Sequence, residues 1–243
     1  MDLGKSAKTA FVRGGYMISV CTVFYPWTKE IERTEELFDA LIPSIQRCEE
    51  NNRIELSIVD TGTRDIFNRR RKHDWINFKE RILKELPTAK YQIADCLVGQ
   101  KWHMSKALMI AAAQAKGELF FFSGIDLILP KGFVHMMDLF VGKGEVWVPL
   151  CYNLLPGQEW TIPEKPEEMN GWRVAKGIMG IRREDFYSVG GYPVEKIGFR
   201  VGIDNALLQK CSKKYKVNSV KCEGLFHLHH AYSKASLPGK IER

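Results

Sequence analysis

The sequence contains no run that approaches the ~18 apolar residues of a membrane-spanning helix. Its longest candidate, residues 119–130, is interrupted by Asp126. No secretory leader is visible either, because residues 1–15 are polar and basic and the apolar stretch after them is short. The six cysteines, at positions 21, 48, 96, 151, 211 and 222, include no Cys-x-x-Cys pair, which excludes the common zinc and redox motifs. RNP signatures, internal repeats and low-complexity tracts are also absent. These absences predict a soluble chain without a transmembrane segment, reduced and cytoplasmic.

What is present fits one globular unit. The chain has 243 residues, 45% hydrophobic and 27% charged, enough to bury roughly 70–75% of its unfolded surface without staples. A single domain spanning 1–243 is expected. The net charge of +7 is densest at Arg69-Arg70-Arg71-Lys72-His73, which can meet phosphates or anionic headgroups and leaves peripheral membrane association open. Aromatic residues do not alternate with basic ones there, so nucleic acid is not the expected partner.

Hydrophobic patterning alternates short strands with helices. Residues 17–24 are a β-branched and aromatic run that reads as a buried strand, residues 54–60 read as a second strand, and residues 30–46 between them carry helical spacing that Pro43 should kink or end. This strand–helix–strand order makes a βαβ unit with parallel strands. Helices are expected over 72–86, 105–116, 132–140 and 204–214, with Gly117 as a helix C-cap. Strands are expected over 91–96, 118–123, 146–151, 177–181 and 217–220. A loop rich in Pro, Gly and Glu, 155–170, is long enough to suggest a mobile or functional segment. The fold class is α/β, a mostly parallel central sheet flanked by helices.

Ligands of open parallel sheets bind beyond the carboxyl ends of the strands, and polar clusters fall at such ends. Asp60-Thr61-Gly62 ends the second strand, as a ligand contact or as an ordinary turn. Ser123-Gly124-Ile125-Asp126 follows Phe120-Phe121-Phe122; an acid there needs a divalent cation or a basic partner. Gly224-Leu225-Phe226-His227-Leu228-His229-His230 follows a strand and can supply an imidazole to the same ion, with the three histidines inseparable by position. Asp204 opens a helix, where it can be a cap. The helix dipole there predicts a low pKa for it.

Taken together, these segments resemble the nucleotide-sugar glycosyltransferases of the GT-A fold, especially glycosyltransferase family 2 and the β-1,4-galactosyltransferases. The stretch Ile58-Val59-Asp60-Thr61-Gly62-Thr63-Arg64-Asp65 resembles "VVDDGSTD", and Phe121-Phe122-Ser123-Gly124-Ile125-Asp126-Leu127-Ile128 resembles the metal motif "F-x-D-x-D-L-I". Residues 177–191 are similar to the "G…(K/R)R-x-x-F-x-x-V-G-G-(F/Y)" block. Residues 198–207 are similar to the "G-W-G-x-E-D-x-D-L" segment, with Asp204 at its first Asp and Ile203 in place of the Glu. His227 matches a late metal-binding histidine, and Gly124 replaces the first Asp of D-x-D.

The resemblance implies a GT-A type domain with a nucleotide-binding part near 16–130 and an acceptor part near 131–235. It implies an inverting hexosyl- or pentosyltransferase of polysaccharide biosynthesis that moves a sugar from a UDP-linked donor to a glycan hydroxyl. Asp204 would be the general base, Asp126 and His227 would hold Mn²⁺ or Mg²⁺, and Asp60, Thr22 and Asp126 would contact the nucleotide. Trp172 would stack on a sugar face or serve as a core Trp. The alternative is a non-catalytic nucleotide-sugar or glycan-binding protein on the same fold, which Gly124 and Ile203 favour.

Overall fold

The structure, a computed structural model, describes residues 15–24, 40–60, 72–93, 104–153, 172–174, 177–194 and 203–228. Strand β1 (Ile18–Phe24) is buried along its whole length and pairs in parallel with β2 (Ile54–Asp60), so that Phe24 lies opposite Asp60. Beyond β2 runs β3 (Lys90–Ile93), also parallel, with Ile93 opposite Asp60. On the other side of β1 lies β4 (Leu119–Phe122), again parallel. The unbroken burial of β1, β2 and β4 suits strands covered on both faces.

The faces are divided with the two-residue period of a strand. Ile18, Val20, Phe24 and Phe121 enter one core with Ile42 and Ile45 of α1 (Ile42–Arg47), Ile82 of α2 (Lys72–Glu85), and Phe133 and Met137 of α4 (Phe133–Phe140). Cys21, Val23, Phe120 and Phe122 enter the other core. There they meet Ala107 and Ala111 of α3 (Met104–Gln114), Phe186 of α5 (Arg183–Ser188) and Leu207 of α6 (Ile203–Ser212).

The sheet continues past β4 with β9 (Met179–Arg182), β6 (Glu145–Trp147) and β10 (Lys216–Asn218), giving the order β10-β6-β9-β4-β1-β2-β3. Only β9 runs antiparallel to its neighbours in this sheet. A second sheet, in the order β5-β11-β7-β8, contains β5 (Leu127–Ile128), β7 (Leu150–Asn153), β8 (Trp172–Val174) and β11 (Lys221–His227). This α/β architecture is the one expected from the sequence.

Several local expectations are corrected. Residues 146–151 do not form one strand: Pro149, which has no N–H to donate, separates β6 from β7, and the two join different sheets. Pro43 sits in the first turn of α1, directly after the π-helical Ala40 and Leu41, where its missing N–H costs little. Residues 30–39, expected to begin that helix and the part on which a kink would show, lie outside the described residues, as does the loop 155–170.

Gly117 is not a left-handed helix cap, because α3 stops at Gln114 and Gly117 is not among the positive-φ glycines. Its N–H donates to the Ser19 hydroxyl and to the buried Glu55 carboxylate, which also accepts from Ser19. A Cβ at 117 would lie 2.8 Å from the Met17 carbonyl and 2.8 Å from the Ser19 nitrogen. Strand backbone cannot yield as a flexible side chain does, so Gly117→Ala is expected to cost about 1–3 kcal/mol. A lower urea midpoint at unchanged slope checks this.

Candidate functional site

The parallel register aligns the carboxyl ends of β1, β2, β3 and β4 on one edge. Asp60, the last residue of β2, is fully buried there and accepts a hydrogen bond at Oδ2 from the Tyr91 hydroxyl. Tyr91 was not among the sequence candidates. The pairing of Tyr91 with Ile58, two residues before Asp60, puts both side chains on one face of the sheet. A carboxylate fixed by a phenol keeps acceptor capacity for a second donor such as a ribose hydroxyl. Thr22, also fully buried, donates its hydroxyl to the Ser123 carbonyl at 2.9 Å and so clamps the ends of β1 and β4 together. The Ser123 hydroxyl itself is buried and has no hydrogen-bond partner among the described residues.

Four residues beyond Ser123, at Leu127, the chain enters the short strand β5. Its antiparallel pairing with β11 sets His227 opposite Leu127, and the Leu228 N–H donates to the Asp126 carbonyl at 2.9 Å. The side chains of Asp126 and His227 therefore converge, with Oδ2 and Nε2 3.5 Å apart and exposures of 14% and 27%. That leaves both within reach of a ligand. His227 lies in β11 rather than beyond a strand, because Lys221–His227 continues the pairing with β7 as well. His229 and His230 lie outside the described residues.

One carboxylate oxygen and one imidazole nitrogen at this separation fit neighbouring ligands of a single Mn²⁺ ion, a metal that accepts both donor types, and Mg²⁺ less well because it prefers oxygen. No third His, Cys, Asp or Glu joins them among the described residues. The remaining ligands of such an ion would have to come from outside this pair.

Asp204 comes to the same edge from the other half of the chain. Met179 of β9 pairs with Phe122 of β4, so Gly177 and Ile178 extend over the carboxyl end of β4. A Cβ built on Gly177 would stand 3.5 Å from Asp204 Oδ2, so the absent side chain leaves room above the carboxylate. Asp204 is the second residue of α6, one position inside the helix rather than its cap.

Its pKa is not low, as the helix dipole alone predicts, but raised to about 6 by burial; the hydrogen bond from its own backbone N–H acts in the opposite direction and is outweighed. Nearby lies the fully buried Tyr192, which packs edge-on against Phe122 with ring centroids 5.1 Å apart. Loss of water around the buried carboxylate disfavours its charged form more than the hydrogen bond at the helix terminus favours it. Ile203, where the resemblance calls for a Glu, points away into the core with Leu207 and Cys211.

Trp172 opens β8 and pairs with Tyr152 of β7, and its side chain lies outside the described set. The basic run 69–71 is outside it too. The described cysteines at 21, 48, 151, 211 and 222 are all buried. No helix among the described residues is long and apolar enough to cross a membrane.

No protein-family model matches the chain, and no curated protein sequence does. Solved structures of S. aureus TarS share its fold. The TarS 1-349 structure in complex with UDP-GlcNAc superposes with a TM-score of 0.61 at 12% identity, covering 92% of this chain and 61% of TarS 1-349. The complex of TarS 1-349 with UDP gives 0.59 at 13% identity, covering 87% and 60%. A third structure, of TarS without a stated ligand, gives 0.60 at 13% identity, covering 87% of this chain and 36% of that one. The chain thus spans less than two thirds of the length of each of these neighbours, and what it shares with them is the α/β fold.

Proposed function

We propose that the protein is an inverting glycosyltransferase that moves a sugar from a nucleotide-diphosphate donor, UDP-linked in our reading, to a hydroxyl of a glycan acceptor. The observation that carries this is the convergence of Asp60, Asp126 and Asp204 on one edge of the sheet, together with His227 beside Asp126 and a raised pKa at Asp204. The UDP and UDP-GlcNAc complexes of TarS support the choice of donor class.

In this reading Asp60, held by Tyr91, binds the nucleoside, with Thr22 fixing the strand ends beneath it. Asp126 and His227 hold the divalent cation, which when bound offsets the negative charge of the diphosphate. The acceptor oxygen attacks the anomeric carbon from the face opposite the diphosphate. As the new C–O bond forms and the bond to the diphosphate breaks, Asp204 takes the hydroxyl proton and the nucleoside diphosphate departs with the electron pair. A base with pKa about 6 is ionised at neutral pH yet still basic enough to share a proton in the transition state, the compromise that general-base catalysis favours. Trp172 is assigned to the acceptor sugar.

The second reading, a nucleotide-sugar or glycan-binding protein without catalysis, is favoured by Ile203, whose side chain is committed to the core. Incubating the protein with a panel of UDP-sugars, Mn²⁺ and glycan acceptors separates the two. Acceptor-dependent release of UDP is the expected result. Saturable binding of a UDP-sugar with no release in any acceptor would establish the binding reading instead.

A further inference from the structure

Gly124 occupies the position where the resembling motif carries its first acid, and the sequence alone presents it as a lost ligand. The space around it says something different. A Cβ built on Gly124 would collide with Asp126 Oδ1 and come within 3.2 Å of Asp126 Cγ. The three nearest atoms to that Cβ all belong to the Asp126 carboxyl group. Backbone conformation is no obstacle to a side chain, because Gly124 is not among the positive-φ residues. The place of the missing side chain is therefore filled by the carboxylate two residues on, and this is the pose in which Asp126 Oδ2 faces His227 Nε2.

Resting on the proposed reading of Asp126 and His227 as metal ligands, we infer that Gly124 is a positioning residue. Its lack of a side chain lets the Asp126 carboxylate fold back and set its second oxygen towards His227. An aspartate has two side-chain torsions, so a methyl group that evicts Oδ1 must turn or swing the carboxylate as a whole. Oδ2 moves with it, and the pair that would grip the ion is pulled out of register. The change from acid to glycine is then compensated in place: one carboxylate, aimed by a void, stands where two acids are expected.

The consequence has a sign that a lost-ligand explanation reverses. If position 124 merely lacks a ligand, Gly124→Asp should tighten metal binding. If the void aims Asp126, both Gly124→Ala and Gly124→Asp should weaken it, by about 10–100-fold, the usual effect of disturbing the groups that orient a metal ligand. The measurement is Mn²⁺ titration in the presence of UDP, followed by the electron paramagnetic resonance signal of free Mn²⁺. The melting temperature without metal or nucleotide reports folding, and no large change is expected there, since only a carboxylate at the surface edge has to move.

Weaker Mn²⁺ binding by both variants, with metal-free melting preserved, supports the inference. Unchanged binding by Gly124→Ala, or tighter binding by Gly124→Asp, overturns it while leaving the metal site itself standing. Wild-type protein that takes up no Mn²⁺ with UDP would overturn the underlying metal reading as well, and the two failures are thus told apart. If either variant melts much earlier without metal, Gly124 is structural and the inference also falls.

Discussion

Replacing Asp204 by Asn is expected to make the protein nearly inactive and, above pH 6, more stable. The two effects have one origin. Burial beside Tyr192 raises the Asp204 pKa to about 6, so in the folded state the carboxylate is held ionised at neutral pH against a desolvation cost. In the unfolded chain the same group titrates near its ordinary value of ~3.9.

Below ~3.9 both states hold the proton, and the native preference for the neutral form contributes in full. As the pH rises through about 6 that contribution is lost. A shift of this size corresponds to about 2–3 kcal/mol, with the lower figure appropriate to a carboxylate that keeps some water. Asparagine has no charge to desolvate. Its advantage over wild type should therefore be absent at pH 4, grow between pH 4 and 6, and stay constant above. Turnover should fall by ~10²–10⁴, the usual worth of a positioned general base, and the rising limb of the wild-type kcat/KM profile near pH 6 should disappear with it. Melting curves across pH, with UDP release on the same preparations, check both halves. An Asn variant that keeps its transfer activity would reduce Asp204 to a buried acid without a catalytic task.

Asp126→Ala is expected to abolish stabilisation by UDP and Mn²⁺ together while barely changing the ligand-free protein. The asymmetry follows from which atoms hold the local fold. The link between this turn and β11 runs through the backbone, from the Leu228 N–H to the Asp126 carbonyl, and alanine keeps that carbonyl. The carboxylate, by contrast, faces His227 and is 14% exposed, so its removal strips an oxygen donor without opening a cavity in either core.

With nucleotide and metal at 100 times the dissociation constant, wild type should gain ~2.7 kcal/mol, or about 5–11 °C for a chain of this size. The variant should gain almost nothing. His227→Ala should lose a smaller part of the shift, because one imidazole nitrogen is easier for water to replace than an anionic oxygen. Equal stabilisation of Asp126→Ala and wild type by UDP and Mn²⁺ would falsify the assignment of this pair.

The parts of the fold legible in the sequence were those with a strong period or an unbroken apolar run. β2 is legible to the residue and β1 to within one, since both are buried on two faces and rich in β-branched and apolar residues, with their polar members Ser19, Thr22, Glu55, Ser57 and Asp60 buried among them. The short strand β5 and the polar-rich β11 were not readable. A strand of two residues has no period, and β11 begins Lys221-Cys222-Glu223-Gly224 with exposed charges at its outer end. Yet it is the pairing of these two strands that sets Asp126 against His227. Proximity of the pair was legible only through resemblance, and its cause lay in tertiary structure.

The Asp204 titration failed for a different reason. Helix position is local and visible in sequence, whereas the burial that raises the pKa is set by tertiary packing, in which Tyr192 lies close enough to interact with Asp204. A local argument therefore gave the smaller of two opposing effects.

The lone antiparallel strand also bears on how the protein is made. β4 pairs on one side with β1, which precedes it, and on the other with β9, which is not synthesised until residues 179–182. At ~5–20 residues per second, the nascent chain spends roughly 3–11 s with the outer edge of a Leu-Phe-Phe-Phe strand lacking its β9 partner. Such an edge is a template for pairing with other chains. Translation tempo between β4 and β9, and chaperone capture in that interval, should therefore govern the yield of native protein more than the final stability does.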